Sequence, residues 1–176
     1  MLPLNIDVYA VRLDFAQSLR NGLKIETGIK SSLVKTNNTA LFYTTVDNET
    51  KLPDSLSNDW NYTENINAAY INLNKKMGVW TVQAGLRAEN TNYNGHQTSY
   101  TQQQDSAFGR SYTNLFPTVF VAYQLNENNQ VALSAGKRID RPAYQQLNPF
   151  TAYVDKYMRM AGNPYLQPYF ADNFDF

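Results

Sequence analysis

The densest cluster of chemistry-bearing side chains lies in "SAGKRIDRPAY", residues 134–144, where Lys137, Arg138 and Arg141 surround a single Asp140. Guanidinium groups suit bidentate contact with carboxylate or phosphate, and Asp140 is near enough to pair with Arg138 or Arg141. A second pair, Arg87 and Glu89, is two residues apart. On a strand that spacing points both side chains the same way. Arg87, Glu89, Arg138, Asp140 and Arg141 are therefore the candidate polar contacts. Either they meet an anionic group, or they shape the segment in which they lie.

Most other chemistry lacks its residues. The chain of 176 residues has no cysteine and one histidine, His96. This leaves no thiolate site and little material for zinc or for histidine-based catalysis. There is no GxSxG, P-loop or HExxH pattern. The acidic residues Asp47, Glu49, Asp54 and Asp59 of "VDNETKLPDSLSND" lack the ordered spacing of an EF-hand. No enzyme activity and no cofactor are expected. Fifteen basic residues balance fifteen acidic ones, whereas a nucleic-acid binder normally shows a basic excess.

The elements that carry these residues are strands. Period-2 alternation is widespread and helical periodicity nearly absent. Residues 8–19 alternate, with Tyr9, Val11, Leu13 and Phe15 on one side and Arg12 and Asp14 on the other. Asn21-Gly22, a strong hairpin signal, leads into residues 23–35. Residues 62–74 have two competing apolar sets, Ile66, Ala68 and Tyr70 against Ala69, Ile71 and Leu73, which a bulge would reconcile. A turn at Lys75-Lys76-Met77-Gly78 precedes residues 79–91, where Trp80, Val82, Ala84, Leu86 and Ala88 share a side. Residues 115–125 and 130–138 flank a turn at 126–129, and a last strand begins at about residue 168. The polar stretches 36–61 and 92–114, and the segment that runs to residue 167, read as long loops.

The expected fold is thus an all-β, antiparallel, up-and-down meander of about six or seven strands, with hairpins at about 8–35, 62–91 and 115–138. Short turns gather at one end and long loops at the other, as in the wall of an outer-membrane barrel. Mixed charge on the polar faces suits a hydrated lumen and equally a solvated surface. Trp80 and Tyr123, close to short turns, are placed for an interfacial aromatic girdle. A mean hydropathy of −0.52 does not decide the matter, since a barrel puts only every second strand residue in lipid. The competing expectation is a soluble all-β binding module that recognises a glycan or a protein through Tyr-rich loops carrying Tyr93, Tyr100 and Tyr112. The discriminating positions are Val11, Leu13, Ile25, Val82, Leu86, Val121 and Leu133. They form an exposed band in a wall and a buried layer in a sandwich.

Several ordered motifs resemble the outer membrane protein β-barrel family of Bacteroidetes, relatives of TonB-dependent receptors. They are Gly85-Leu86-Arg87 ending in Glu89, Phe116-Pro117, Arg138-Ile139-Asp140-Arg141-Pro142, Leu147-Asn148-Pro149-Phe150, and Gly162-Asn163-Pro164 with Leu166 and Pro168. The resemblance covers nearly the whole chain and is strongest over 64–168. It implies a place in the bacterial outer membrane and a nutrient-uptake function. The partners it implies are outer-membrane lipid, the rest of a barrel and its plug domain, an energy-coupling TonB-type protein and an unidentified substrate. With about six or seven strands and no plug, the chain is expected to be a segment of a larger barrel.

Overall fold

A computed structural model describes residues 4–46, 49–53, 57–100, 106–149, 152–153 and 157–176. The strands are β1 (Leu4–Ser18), β2 (Leu23–Ala40), β3 (Tyr43–Val46), β4 (Glu49–Pro53), β5 (Asn58–Met77), β6 (Trp80–Ser99), β7 (Ser106–Asn126) and β8 (Asn129–Asp140). A short helix α1 (Tyr144–Leu147) follows, then β9 (Ala152–Tyr153), β10 (Arg159–Met160) and β11 (Tyr169–Asp175). Seven strands form one antiparallel sheet in the order β1-β2-β5-β6-β7-β8-β11, while β3-β4 and β9-β10 are small hairpins in the connections. The expected all-β meander is what the chain forms. No helix among the described residues is long and apolar enough to cross a membrane.

The strands run well beyond their expected ends. β5 continues to Met77, so Lys75 and Lys76 belong to the strand, and the tight turn is Gly78-Val79. Gly78 and Gly22 take the positive φ values (60° and 77°) that these two hairpin turns need. Most of the polar stretch 92–114 is also strand, because β6 reaches Ser99 and β7 begins at Ser106. Asparagine and threonine look like loop composition, but the ladder with a neighbouring strand satisfies their backbone whatever they carry. Asp47, Asp54 and Phe150 lie outside the described residues.

Register explains the two apolar sets of β5 without a bulge. The pairing of β5 with β2 and with β6 is continuous along its length. Both sets therefore serve at once, on opposite faces. Ala69, Ile71 and Leu73 pair with Ala88, Leu86 and Ala84 on the outer face. Tyr70, Ala68 and Ile66 point inward. Every buried residue of the seven-stranded sheet, from Thr36 through Trp60, Ala68, Thr91 and Tyr93 to Phe116 and Ala122, lies on this inner face. The sheet is therefore concave there, as a barrel segment must be.

The outer face changes character along the strands. From Trp80 to Ala88 its residues on β6 are apolar, and nine residues meet the low end of a transmembrane strand's length. Val11, Leu13, Leu86 and Leu133 are all about half-exposed or more, and no second sheet covers them. Trp80 and Tyr123, paired in register, close the lower edge with ring centroids 4.6 Å apart. Immediately above Ala69 and Ala88 the outer pair is Asn67 with Asn90, followed by Asn65 with Asn92. From Tyr93 upward, just beyond these pairs, the inner face turns apolar. Trp60, Tyr62, Tyr93 and Leu147 form a buried cluster, with Phe108, Tyr112 and Tyr144 packed against it. The polarity of the sheet thus inverts where the strands leave hydrocarbon.

Candidate functional site

The lower inner face carries an exposed row of charges. Arg12 Nε lies 2.6 Å from Asp14 on β1, and Lys24 pairs with Glu26 on β2. The Tyr70 hydroxyl, from β5, donates to Asp14 across β2. That reach is possible because the residue beneath the ring is Gly28. A Cβ there would lie 2.7 Å from Tyr70 Cε1 and 2.5 Å from Asp14 Oδ1. Arg12, Lys30, Tyr70, Arg87, Glu89 and Arg138 line a cavity of about 640 Å³ on this face.

Three of the five candidate residues come together at its upper edge. Arg87 donates from Nε and Nη2 to Glu89 Oε2, at 3.1 and 2.9 Å. Arg141 donates from Nη2 to Glu89 Oε1 at 2.8 Å, and to Thr91 Oγ1 at 3.3 Å. Glu89 is 7 % exposed, so both carboxylate oxygens are held by guanidinium groups in a desolvated place. Such charge-assisted bonds are the strong ones.

The other two candidates lie elsewhere. Asp140 pairs with neither Arg138 nor Arg141; its Oδ2 accepts the hydroxyl of its β11 register partner Tyr169 at 2.7 Å. Arg138 is exposed on the inner face and makes no ion pair with a described residue.

Pro117 explains how Arg141 crosses to β6. The β7–β8 ladder stops at Thr118 with Gly136, next to this residue, which has no N–H to give. β8 then keeps only β11 as partner, and the chain beyond Asp140 swings over the upper half of β7. There α1 places Leu147 in the aromatic cluster, 2 % exposed. The two Asn-Pro motifs clasp each other by backbone bonds. Gly162 N–H donates to the Asn148 carbonyl at 2.9 Å, and Asn163 N–H to that of Gln146 at 2.6 Å. A Cβ on Gly162 would meet both acceptor oxygens at 2.4 Å.

The sequence reading missed Tyr70, Thr91 and Glu64 as members of this site. Tyr70 belonged to an apolar set that looked out of register. Thr91 lies two residues beyond Glu89 on the same strand face but is uncharged, and Glu64 has no charged neighbour within four residues in sequence. Burial raises the Glu64 carboxyl above its ordinary range, against the opposing charge of Arg141. Burial likewise pushes the Tyr62 and Tyr93 hydroxyls upward. Among the described residues no group of His, Asp and Glu is placed to hold a metal ion.

Comparison with known proteins agrees with this architecture. A family model described as outer membrane protein beta-barrel family matches residues 2–176. Among solved structures, the ferric yersiniabactin uptake receptor FyuA from Yersinia pestis superposes with a TM-score of 0.65 at 12 % identity, over 98 % of this chain and 25 % of that one. The unliganded ferric citrate transporter FecA gives a TM-score of 0.54 at 19 % identity, over 78 % of this chain and 21 % of that one. The chain therefore spans about a quarter or less of the length of these barrels. No match was found among curated proteins.

Proposed function

The chain belongs to the outer membrane protein beta-barrel family, and on that premise we propose that it forms part of the wall of a TonB-dependent receptor-like transporter for nutrient uptake. Family and fold place it in the outer membrane. The observation that carries the reading is the inversion of the sheet. Below Asn67 and Asn90 the outward positions of β6 and β7 are apolar, while paired charges face inward on β1 and β6, as a wall between lipid and an aqueous lumen requires. Lys75, and Lys137 beside Asp172, are charged residues on the outward side of the neighbouring strands. The same face would be buried in a soluble sandwich, and here it is open.

Two roles follow for the inner face. Charges that neutralise one another, as in Arg12–Asp14 and Arg87–Glu89, keep the lumen wet without a strong net field. Arg138 remains free to meet an anionic group on a cargo or on a plug. The structural neighbours are named for ferric citrate and ferric yersiniabactin, which supports the receptor class and leaves the cargo open. In this reading the rest of the barrel, a plug domain and a TonB-type energy-coupling protein complete the machine. In this reading the wall itself performs no catalysis, and the motif resemblance gives the source as a member of the Bacteroidetes.

The test is growth of the source bacterium on single nutrients with the full-length gene deleted. Loss of uptake of one nutrient class, reproduced by removing the energy-coupling protein, supports transport. Unchanged uptake, together with binding of a glycan or protein by the extracellular part, would replace it with the binding-module reading.

A further inference from the structure

The upper half of β7 is a strand with one neighbour. In an antiparallel ladder, successive residues turn their N–H and C=O groups to opposite sides. Gln124 N–H donates to the Val79 carbonyl, just before β6. The even-numbered residues of β7 therefore bond to β6, and the odd-numbered ones point to β8. The ladder with β6 is continuous up to Gln97 with Ser106, whereas the ladder with β8 ends at Thr118 with Gly136. Above that point Ala107, Gly109, Ser111, Thr113 and Leu115 have no backbone partner on the β8 side among the described residues. All of them are exposed. At about 3.4 Å per residue this open edge is roughly 27 Å long.

Such an edge is a template for another strand, and proteins normally guard it with charge, proline, a bulge or brevity. Here only the base is guarded, by Pro117. The odd-numbered positions above it are uncharged, and β7 shows no bulge against β6 along them. On the lumen side the edge is covered, because Arg141 reaches Glu89 and Leu147 sits in the aromatic cluster. Thr113 pairs with Asn90, where the apolar band ends, so most of the edge stands above lipid. Arg110, between Phe108 and Tyr112 on the same stretch, makes no ion pair with a described residue.

From this arrangement we propose that the upper edge of β7 takes up, by strand addition, an extended segment of a partner protein that carries a carboxylate opposite Arg110. A ladder position in the plane of a sheet accepts one extended strand and not a folded surface. Main-chain bonds supply the affinity and the side chains beside them the selectivity. Because the lumen side is covered, the segment arrives from the water above the band, which favours a partner over a cargo in transit. The inference rests on the ladder and the outer-membrane setting, not on transport.

The test uses the full-length protein in detergent and a synthetic peptide of alternating Thr and Val with one central Glu. Amide hydrogen exchange is read residue by residue. In the free protein Ala107, Gly109, Ser111 and Thr113 should exchange about tenfold faster than Phe108, Arg110 and Tyr112, whose N–H groups bond to β6. Saturating peptide should slow the odd-numbered set about tenfold and leave the even-numbered set unchanged. A peptide with Lys in place of Glu should bind severalfold more weakly, and Arg110→Glu should reverse that preference. Ser111→Pro removes one N–H from the open edge and none from the ladder with β6, and should weaken binding about tenfold. If that variant does not fold, the wild-type exchange pattern carries the test. Odd-numbered amides as slow as even-numbered ones in the free protein would assign the edge to this chain's own segments, or to a second copy if the slowing grows with protein concentration. Either result would overturn the proposal, as would no binding, or binding that leaves the odd-numbered amides unprotected. Uptake is not measured, so failure of the transport reading leaves the outcome readable.

Discussion

Arg141 and Glu89, 52 residues apart in sequence, meet at 2.8 Å across the upper half of β7. The contact ties the connection between β8 and β11 to the inner wall of β6. It also gives the "RIDRP" motif a structural role, since one arginine anchors a segment while Arg138 stays on the lumen face.

Removing Arg141 leaves Glu89 desolvated with one guanidinium in place of two. Hydrogen bonds to charged groups are worth about 1.5–3 kcal/mol, and Arg141→Ala is expected to cost about that. The cost should be local. Hydrogen exchange across the described part of residues 142–166 should speed up, while the strands of the apolar band keep their protection. Uniform exchange along the chain would contradict the anchor.

Gly162→Ala places a methyl group against two backbone carbonyls that cannot both move. Overpacking of this kind costs about 1–3 kcal/mol. The expected result is loss of the clasp between α1 and the second Asn-Pro motif, read as limited proteolysis within 157–168 at protease levels that spare the wild type.

Tyr70→Phe removes the hydroxyl that spans β2 to Asp14, and the partly solvated site should lose about 1 kcal/mol. Gly28→Ala should cost more, because the added Cβ displaces the whole ring. The comparison is thermal unfolding of the full-length protein in detergent. The order would be reversed if Tyr70 did not lie over Gly28.

Outward and inward substitutions should differ sharply in the middle of the band. Val121, paired with Val82 and Leu133, faces lipid, and Val121→Arg is expected to cost about 2–4 kcal/mol. Ser134→Arg, on the inner face of the next strand, should cost little. Equal penalties for both would remove the lumen from the account.

Acidity should tighten the aromatic cluster on the upper inner face. The raised carboxyl of Glu64 means that folding favours its protonated form. Its contribution is present below the ordinary carboxylate range and is lost as pH rises through the elevated value. Glu64→Gln should therefore stabilise the region at neutral pH and flatten its pH dependence. Proteolysis of the segment after β8 at pH 4.5 and at pH 7.5, in wild type and variant, reads the difference.

Much of the sheet was legible because alternation is a local property. Trp80, Val82, Ala84, Leu86 and Ala88 share a face whichever strand pairs with them, and the Asn21-Gly22 turn fixes the first hairpin. Strand ends were less legible. Residues 92–99 carry loop-like side chains, yet the ladder absorbs them. Ile66 to Leu73 looked contradictory because a strand that crosses a membrane boundary changes its apolar face part-way along, and composition carries no marker of height.

The sequence by itself determined the class of fold and the two faces, and it set Arg87 and Glu89 on one side because period-2 geometry projects residues two apart together; Arg138 and Asp140 share that spacing without pairing. Only the tertiary structure decided that Tyr70 crosses Gly28 to Asp14, that Arg141 passes β7 to Glu89, and that Gly162 closes on Asn148. These contacts depend on cross-strand register and on where a ladder ends. Both are set by pairing between distant segments, which no single stretch of the chain contains.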